Sequence, residues 1–308
     1  MTQPRREFLR QAGALGLAAL PATRASAAPV ATEAAGATAS GGLPPGWRSL
    51  RKLDAHHHVF TPVHRPNANW SEVENLVAAA ERLGIERLYC SRPITGGVMA
   101  DIAAVREAND SVLAAMRRYP GRIAGYCFVQ PGNGPAALDE IERCLEAGMV
   151  GVKLYNQFKF TDPAVFPIAE KCIARGIPFL GHSAFLTDPR ELARQPRTSH
   201  ALEFGALSQR YPELLLIMGH VNGGGDWEWA IKGLREFPQV HLDTSGSVLE
   251  DDAIERCVAL LGHRRILFAT DGTMEGGVGK ILSADLSTEQ REDIFWRNFQ
   301  RILDRRRA

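Results

Sequence analysis

The sequence has no long apolar run, no glycine-rich phosphate loop and no strong net charge. Each absence removes a class of protein. A membrane-spanning helix needs about 20 consecutive apolar residues, and the weakly apolar Ala/Leu/Gly run near the N-terminus falls far short of that. The formal net charge is +1, so no basic field marks a nucleic-acid-binding surface. Neither a GxGxxG motif nor a P-loop follows the first strand-like segment, which argues against a doubly wound nucleotide-binding sheet. Cys90, Cys127, Cys144, Cys172 and Cys257 are odd in number and irregularly spaced, a poor disulfide framework even for an exported protein. All five sit in apolar segments and read as buried thiols. What remains is ordinary globular composition: 308 residues, 45% hydrophobic and 23% charged.

The N-terminus stands apart from that composition. Arg5 and Arg6 precede Phe8 and Leu9, a short apolar run follows, and "ASA" at residues 25–27 is a small-residue cleavage pattern. This order is that of a twin-arginine signal peptide over residues 1–27, which implies the twin-arginine export machinery as a partner and a periplasmic or secreted mature protein. No cysteine lies near the cleavage site, so neither a lipid anchor nor stable membrane insertion is expected after processing. Removing residues 1–27 takes away four Arg and one Glu and moves the net charge from +1 to −2. Residues 28–49 are rich in Ala, Gly, Pro and Thr without periodicity and read as a flexible linker to a single domain over residues 50–308.

Within that domain, strand-like and helix-like segments alternate with a period of roughly 30 residues. "LRKLDAHHHVF" reads as a strand, and "SEVENLVAAAERLG" as a helix capped by Ser71 and stopped by Gly84. The last helix is opened by Ser287 with Gln290 three residues on, a capping-box spacing. Eight such units in roughly 255 residues match a (β/α)₈ TIM barrel, whose chemistry sits at the C-terminal ends of the strands.

Those ends carry a consistent set of side chains. Strand 1 ends in His56, His57 and His58, strand 5 in His182, strand 6 in His220 and strand 8 in Asp271. Strand alternation puts His56 and His58 on one face and turns His57 toward the helix layer as a packing residue. Two imidazoles on one strand, a third from His182 and the Asp271 oxygen make an N₃O set with open positions. Such a set suits one divalent metal ion, Zn²⁺ first, with Mn²⁺, Fe²⁺ or Co²⁺ as alternatives. Arg92 and Lys153 are the candidate cations for a substrate carboxylate, Lys153 otherwise holding a neighbouring side chain. Cys90 ends strand 2 and reads as a buried small hydrophobe, while Asp243 either orients His220 or caps a loop. His64, His200, His241 and His263 fall at no matching strand end and are given no role.

The motifs "HHH" at 56–58, "GVKLYN" at 151–156, "LGHS" at 180–183, "MGHVNGG" at 218–224 and "ATDG" at 269–272 together resemble the amidohydrolase superfamily. The similarity runs over about residues 50–303 and is nearest the branch that includes aminocarboxymuconate-semialdehyde decarboxylase. "IFWRNFQRIL", with Asn298, is similar to that branch's C-terminal helix. The resemblance implies His56, His58 and His182 as metal ligands, with Asp271 a ligand or the acid/base beside the metal. It implies that His220 polarises substrate or relays a proton. Some branches bridge two metals with a carbamylated lysine at the position of Lys153, but a mononuclear site is more typical of this one. The expected activity is hydrolysis of a small organic-acid ester, lactone or amide by a metal-activated water. The alternative is metal-dependent, non-oxidative decarboxylation of a small unsaturated or aromatic acid. A binding protein without turnover ranks last, because it leaves His220 and Asp271 beside an open position unexplained. The partners expected are a small-molecule substrate and a second copy of the chain in a homodimer.

Overall fold

The computed structural model describes residues 43–63, 69–221 and 227–306. The expected signal, residues 28–42 of the expected linker, His64 and the "NGG" of the strand-6 motif lie outside the described residues. Residues 43–49, assigned by composition to the linker, belong with the barrel. The Lys52 ammonium donates to the carbonyls of Trp47 and Leu50 at 2.7 and 2.9 Å, and Trp47 packs against the core.

Eight parallel strands pair in chain order. They are β1 (Leu53–His58), β2 (Arg87–Ser91), β3 (Ile123–Phe128), β4 (Gly151–Leu154), β5 (Phe179–His182), β6 (Leu216–Gly219), β7 (His241–Asp243) and β8 (Ile266–Leu267). The ring closes where Ala55 N donates to Phe268 O at 3.0 Å and Asp271 N donates to His56 O at 2.9 Å. This is the (β/α)₈ barrel expected from the repeat. The strands are buried on both faces, which is why they read as continuous apolar runs rather than as alternation.

The interior of the barrel is filled and its lower end is sealed. Leu53, Tyr89, Tyr126, Leu180, Ile217 and Leu267 pack with Phe299 and Ile302 of the last helix. Tyr126 Oη donates to Ala55 O at 3.0 Å, and Tyr89 meets Phe299 edge-to-face at 4.7 Å. The last helix starts as expected, with Ser287 and Gln290 capping each other reciprocally. Asn298 anchors it to the barrel by donating to the His263 and Ile266 carbonyls, each at 2.8 Å. With this end closed, the opposite rim is the place for chemistry.

Three local expectations change. The cap of the first helix, Trp70–Arg82, is Asn69 rather than Ser71: the Asn69 side chain accepts from Glu72 N, and Ser71 lies inside the helix with its hydroxyl on Asn69. His200 has a structural role, capping Ala201–Arg210 in a reciprocal box with Glu203. A helix at Met274–Ser283 has no counterpart in the sequence pattern because three glycines mask it. At Gly277 a side chain would come within 2.8 Å of Thr270, so the helix trades propensity for close packing beside the Asp271 segment.

Candidate active site at the strand ends

β1 carries an irregularity between Asp54 and His57, where its register against β2 shifts by one residue. Such bulges re-aim side chains at barrel rims. Past it, the His56 and His58 rings lie 5.3 Å apart, edge to face. His56 is fully buried. Its Nδ1 is 2.8 Å from Asp243 Oδ2, which leaves Nε2 pointing into the site. His58 Nδ1 lies 3.1 Å from the Ser91 carbonyl, so its Nε2 also faces inward, 3.0 Å from Asp271 Oδ1. Apart from the imidazoles, Asp271 Oδ1 has no hydrogen-bond partner among the described residues. His56 Nε2 is 3.9 Å from the same oxygen. Donor atoms of His56, His58 and Asp271 thus all lie within 4.8 Å of one another. Two imidazole nitrogens beside a carboxylate oxygen are a donor set of the kind a divalent cation takes, with His56 Nε2 engaged here by Lys153 Nζ at 2.6 Å.

His57 belongs to neither His/Asp group at the mouth. It is buried, with Nδ1 2.8 Å from the His58 carbonyl and Nε2 unpartnered. His182 also stands outside the triad: its Nδ1 lies 3.0 Å from His220 Nε2, and Tyr155 stacks on its ring at 4.2 Å. His220 Nδ1 is 2.8 Å from Ser245 Oγ and 3.7 Å from Asp271 Oδ2. Asp243, left between two roles by the sequence, bridges both histidine pairs, since its carboxylate meets His56 Nδ1 and accepts from the His220 and Ser245 amides. Lys153 is buried with Nζ 2.6 Å from His56 Nε2. Arg92 sits half-buried one residue beyond β2, and Cys90 is a fully buried thiol.

The electrostatics follow from burial. Desolvation pushes His220 down to about 3 and holds His56 and His182 below the ordinary imidazole range, so these rings are neutral at pH 7. Lys153 is pushed down to about 8 by the same cause and keeps its proton at neutral pH. Burial alone would raise Asp271, but His58, His56 and His220 around it hold it well below the usual carboxylate range. Burial likewise opposes ionisation of Asp243, and His56 outweighs it.

Asp54 was missed by sequence reasoning. It sits two residues before His56, on the same alternating face, which was the available signal. Its carboxylate accepts from Thr270 N at 3.0 Å and Thr270 Oγ1 at 2.5 Å, tying β1 to the segment that carries Asp271. Burial raises its pKa to about 8. His220 and Asp271 both have left-handed backbones, with φ of 73° and 46°. Non-glycine residues held there carry local strain, which collects at functional sites.

The comparisons agree with this architecture. The family model described as amidohydrolase matches residues 53–305. No curated protein matches the sequence. Among solved structures, 2,6-dihydroxybenzoate decarboxylase from Rhizobium is 17% identical, with a TM-score of 0.64 over 82% of this chain and 98% of that one. The 5-carboxyvanillate decarboxylase from Sphingomonas paucimobilis is 19% identical, with a TM-score of 0.65 over 83% of this chain and 99% of that one. A dihydroxybenzoic acid decarboxylase from Polaromonas sp. JS666, solved with bound manganese and 2-nitroresorcinol, is 19% identical, with a TM-score of 0.62 over 84% and 97%. At these identities the likeness concerns the fold. With the family pattern spanning the whole barrel and its histidine and aspartate positions gathered at one rim, the chain belongs to the amidohydrolase family.

Proposed function

We propose that the protein is a divalent-metal-dependent, non-oxidative decarboxylase of a small aromatic or unsaturated carboxylic acid. The observation that carries this reading is the buried Lys153 ammonium beside the His56–His58–Asp271 convergence. The histidines around Asp243 and Asp271 hold both ionised, and Lys153 is the buried ammonium beside them. A divalent ion on the donor triad would add positive charge beside Lys153, which suits a substrate carboxylate better than a neutral lactone. The similar decarboxylase structures support the same choice over the hydrolysis first expected. Manganese takes precedence over zinc: a mixed imidazole and carboxylate set accepts either, and one similar decarboxylase holds manganese.

His56, His58 and Asp271 would hold the ion. When bound, it supplies Lewis-acid polarisation of substrate oxygens. Asp243 fixes the His56 ring so that Nε2 faces inward. Lys153 offers its charge to the substrate carboxylate. Tyr155, stacked on His182, provides an aromatic wall for a planar acid. In the reaction the bond to the carboxyl carbon breaks, CO₂ leaves, and the electron pair stays on the ring or vinyl carbon. That carbon takes the proton of the Lys153 ammonium, the acid of the site that is protonated at neutral pH, and Lys153 regains a proton from solvent once the product leaves.

A panel of hydroxybenzoates, esters and lactones, offered to manganese-loaded and chelator-stripped protein, tests this directly. Metal-dependent CO₂ release from an acid is expected; new carboxylate from a lactone or ester without CO₂ replaces the reading with hydrolysis. Export is part of the proposal and rests on Arg5 and Arg6. Changing both to Lys is expected to leave precursor in the cytoplasm, and normal periplasmic accumulation would remove it.

A further inference from the structure

Ser245 lies two residues past the end of β7, almost fully buried, between Asp243 and His220. Its amide and its hydroxyl reach Asp243 Oδ1 at 2.9 and 2.6 Å, and the hydroxyl oxygen is also 2.8 Å from His220 Nδ1. An aspartate that accepts from the second residue after it makes an ordinary turn, which accounts for both contacts with Asp243. It does not account for the ring on the other side of the hydroxyl. Nor does it account for the second ring beyond that one, where His220 Nε2 lies 3.0 Å from His182 Nδ1.

The direction of each hydrogen bond in this row follows from counting protons. An ionised carboxylate only accepts, and a serine hydroxyl has one proton to give. Asp243 is ionised, accepting from the His220 and Ser245 amides at Oδ1 and facing His56 Nδ1 with Oδ2. The 2.6 Å contact therefore takes the Ser245 proton, and Ser245 Oγ meets His220 as an acceptor. His220 Nδ1 must then carry the N–H. Burial keeps the His220 and His182 rings neutral, and a neutral imidazole has a single N–H. His220 Nε2 is thus a lone pair, so the contact at 3.0 Å takes its proton from His182 Nδ1. That leaves a lone pair on His182 Nε2. This nitrogen has no hydrogen-bond partner among the described residues and, unlike His57 Nε2, is not sealed from solvent.

We propose that Ser245 is a positioning residue that fixes the direction of this row: His182 donates to His220, His220 to Ser245 and Ser245 to Asp243. Both rings are held as Nδ1–H tautomers, with the His182 Nε2 lone pair kept open at the rim. His182 therefore enters the reaction as an acceptor and not as an acid, which leaves proton donation to Lys153.

Long-range proton–nitrogen correlation spectra of the full-length protein, with nitrogen-15 in its histidine rings, test this at neutral pH. They are recorded on protein loaded with zinc, which is diamagnetic, and on metal-free protein, with the two rings assigned from His182→Gln and His220→Gln spectra. Both rings are expected as Nδ1–H in both samples. In Ser245→Ala the fixed acceptor is gone, so His220 should go over to Nε2–H and push His182 to Nε2–H with it. The reaction rate should fall by about 10–100-fold, the range for removing a group that orients a functional imidazole. Ser245→Thr keeps the hydroxyl and should restore spectrum and rate together. An Nε2–H signal at either ring of the wild-type protein would overturn the proposal, as would unchanged tautomers in Ser245→Ala. Equal tautomer change in the Thr and Ala variants would also overturn it, by assigning the effect to packing. The wild-type spectrum requires no variant to fold, and the tautomers are read without substrate, so this outcome is separate from that of the decarboxylation test.

Discussion

Among the described residues, metal-ligating residue types come together in two regions of the barrel, the rim and the Cys127–Glu140–Cys144 cluster, and of these the rim has the makings of a reactive site. Cys127, Glu140 and Cys144 lie as close to one another as His56, His58 and Asp271 do, with donor atoms within 4.8 Å in each group. The first cluster is saturated. Glu140 accepts from Asn109 at 2.8 Å, from Arg143 at 2.7 and 2.8 Å and from Arg106 at 3.3 Å, and burial pushes the Cys127 thiol well up. Nothing there is left for a cation to satisfy. At the rim the Asp271 carboxylate is surrounded by the nitrogens of His58, His220 and His56, at 3.0, 3.7 and 3.9 Å, with no guanidinium or amide on it. Residue type marks both places equally. The partners of their carboxylates separate them, because guanidinium and amide donors occupy the lone pairs that a cation would need.

That difference breaks most sharply at Asp271. Asp271→Asn should abolish metal retention and lower decarboxylation by on the order of 10³-fold, as when preorganised charge is removed from a reacting centre. Metal content and CO₂ release check it, and full metal occupancy in the variant would place the ligands elsewhere. Next comes Asp243→Asn, which leaves the triad in place but frees the His56 ring. Metal affinity should fall by about 10–100-fold with the melting curve little changed.

At the saturated cluster the effect moves from activity to stability. Glu140→Gln leaves Arg143 and Arg106 short of a charge partner and should cost about 1–3 kcal/mol in denaturant unfolding, with metal content and rate unchanged. His57→Asn should cost a similar amount and keep the metal, whereas His58→Ala should lose it. The reverse pattern would mean that the register of β1 is opposite. The smallest effect is a pH dependence. Burial alone would raise Glu140, but Arg143 and Asn109 hold it below its usual range. A depressed carboxyl contributes stability that is present above the unfolded pKa and lost as pH falls through the folded one. The stability gap between wild type and the Glu140→Gln protein should therefore narrow from about pH 5 to about pH 3.

The barrel and most of its rim were legible before any coordinates. Strand–helix alternation set the number of units, and histidine or aspartate at the ends of strands 1, 5, 6 and 8 marked the chemical end. Covalent spacing does this work: a two-residue period fixes which side chains share a face, so His56 and His58 could be paired and His57 set apart. Helix caps were less legible. Asn69 and Ser71 both have capping chemistry, and only the backbone path distinguishes them. The helix at Met274–Ser283 was hidden because its glycines answer to Thr270 across a tertiary contact.

By itself, then, the sequence determined the architecture and the cast of residues at the rim, since periodicity and strand ends are local properties of the chain. Tertiary structure alone decided the pairings among them. His182 meets His220 rather than the His56–His58–Asp271 triad, Lys153 meets His56, and Asp243 bridges both pairs. These contacts join residues up to 187 positions apart. Their distances depend on barrel closure, on the β1 bulge and on left-handed backbones at His220 and Asp271, none of which a one-dimensional period encodes.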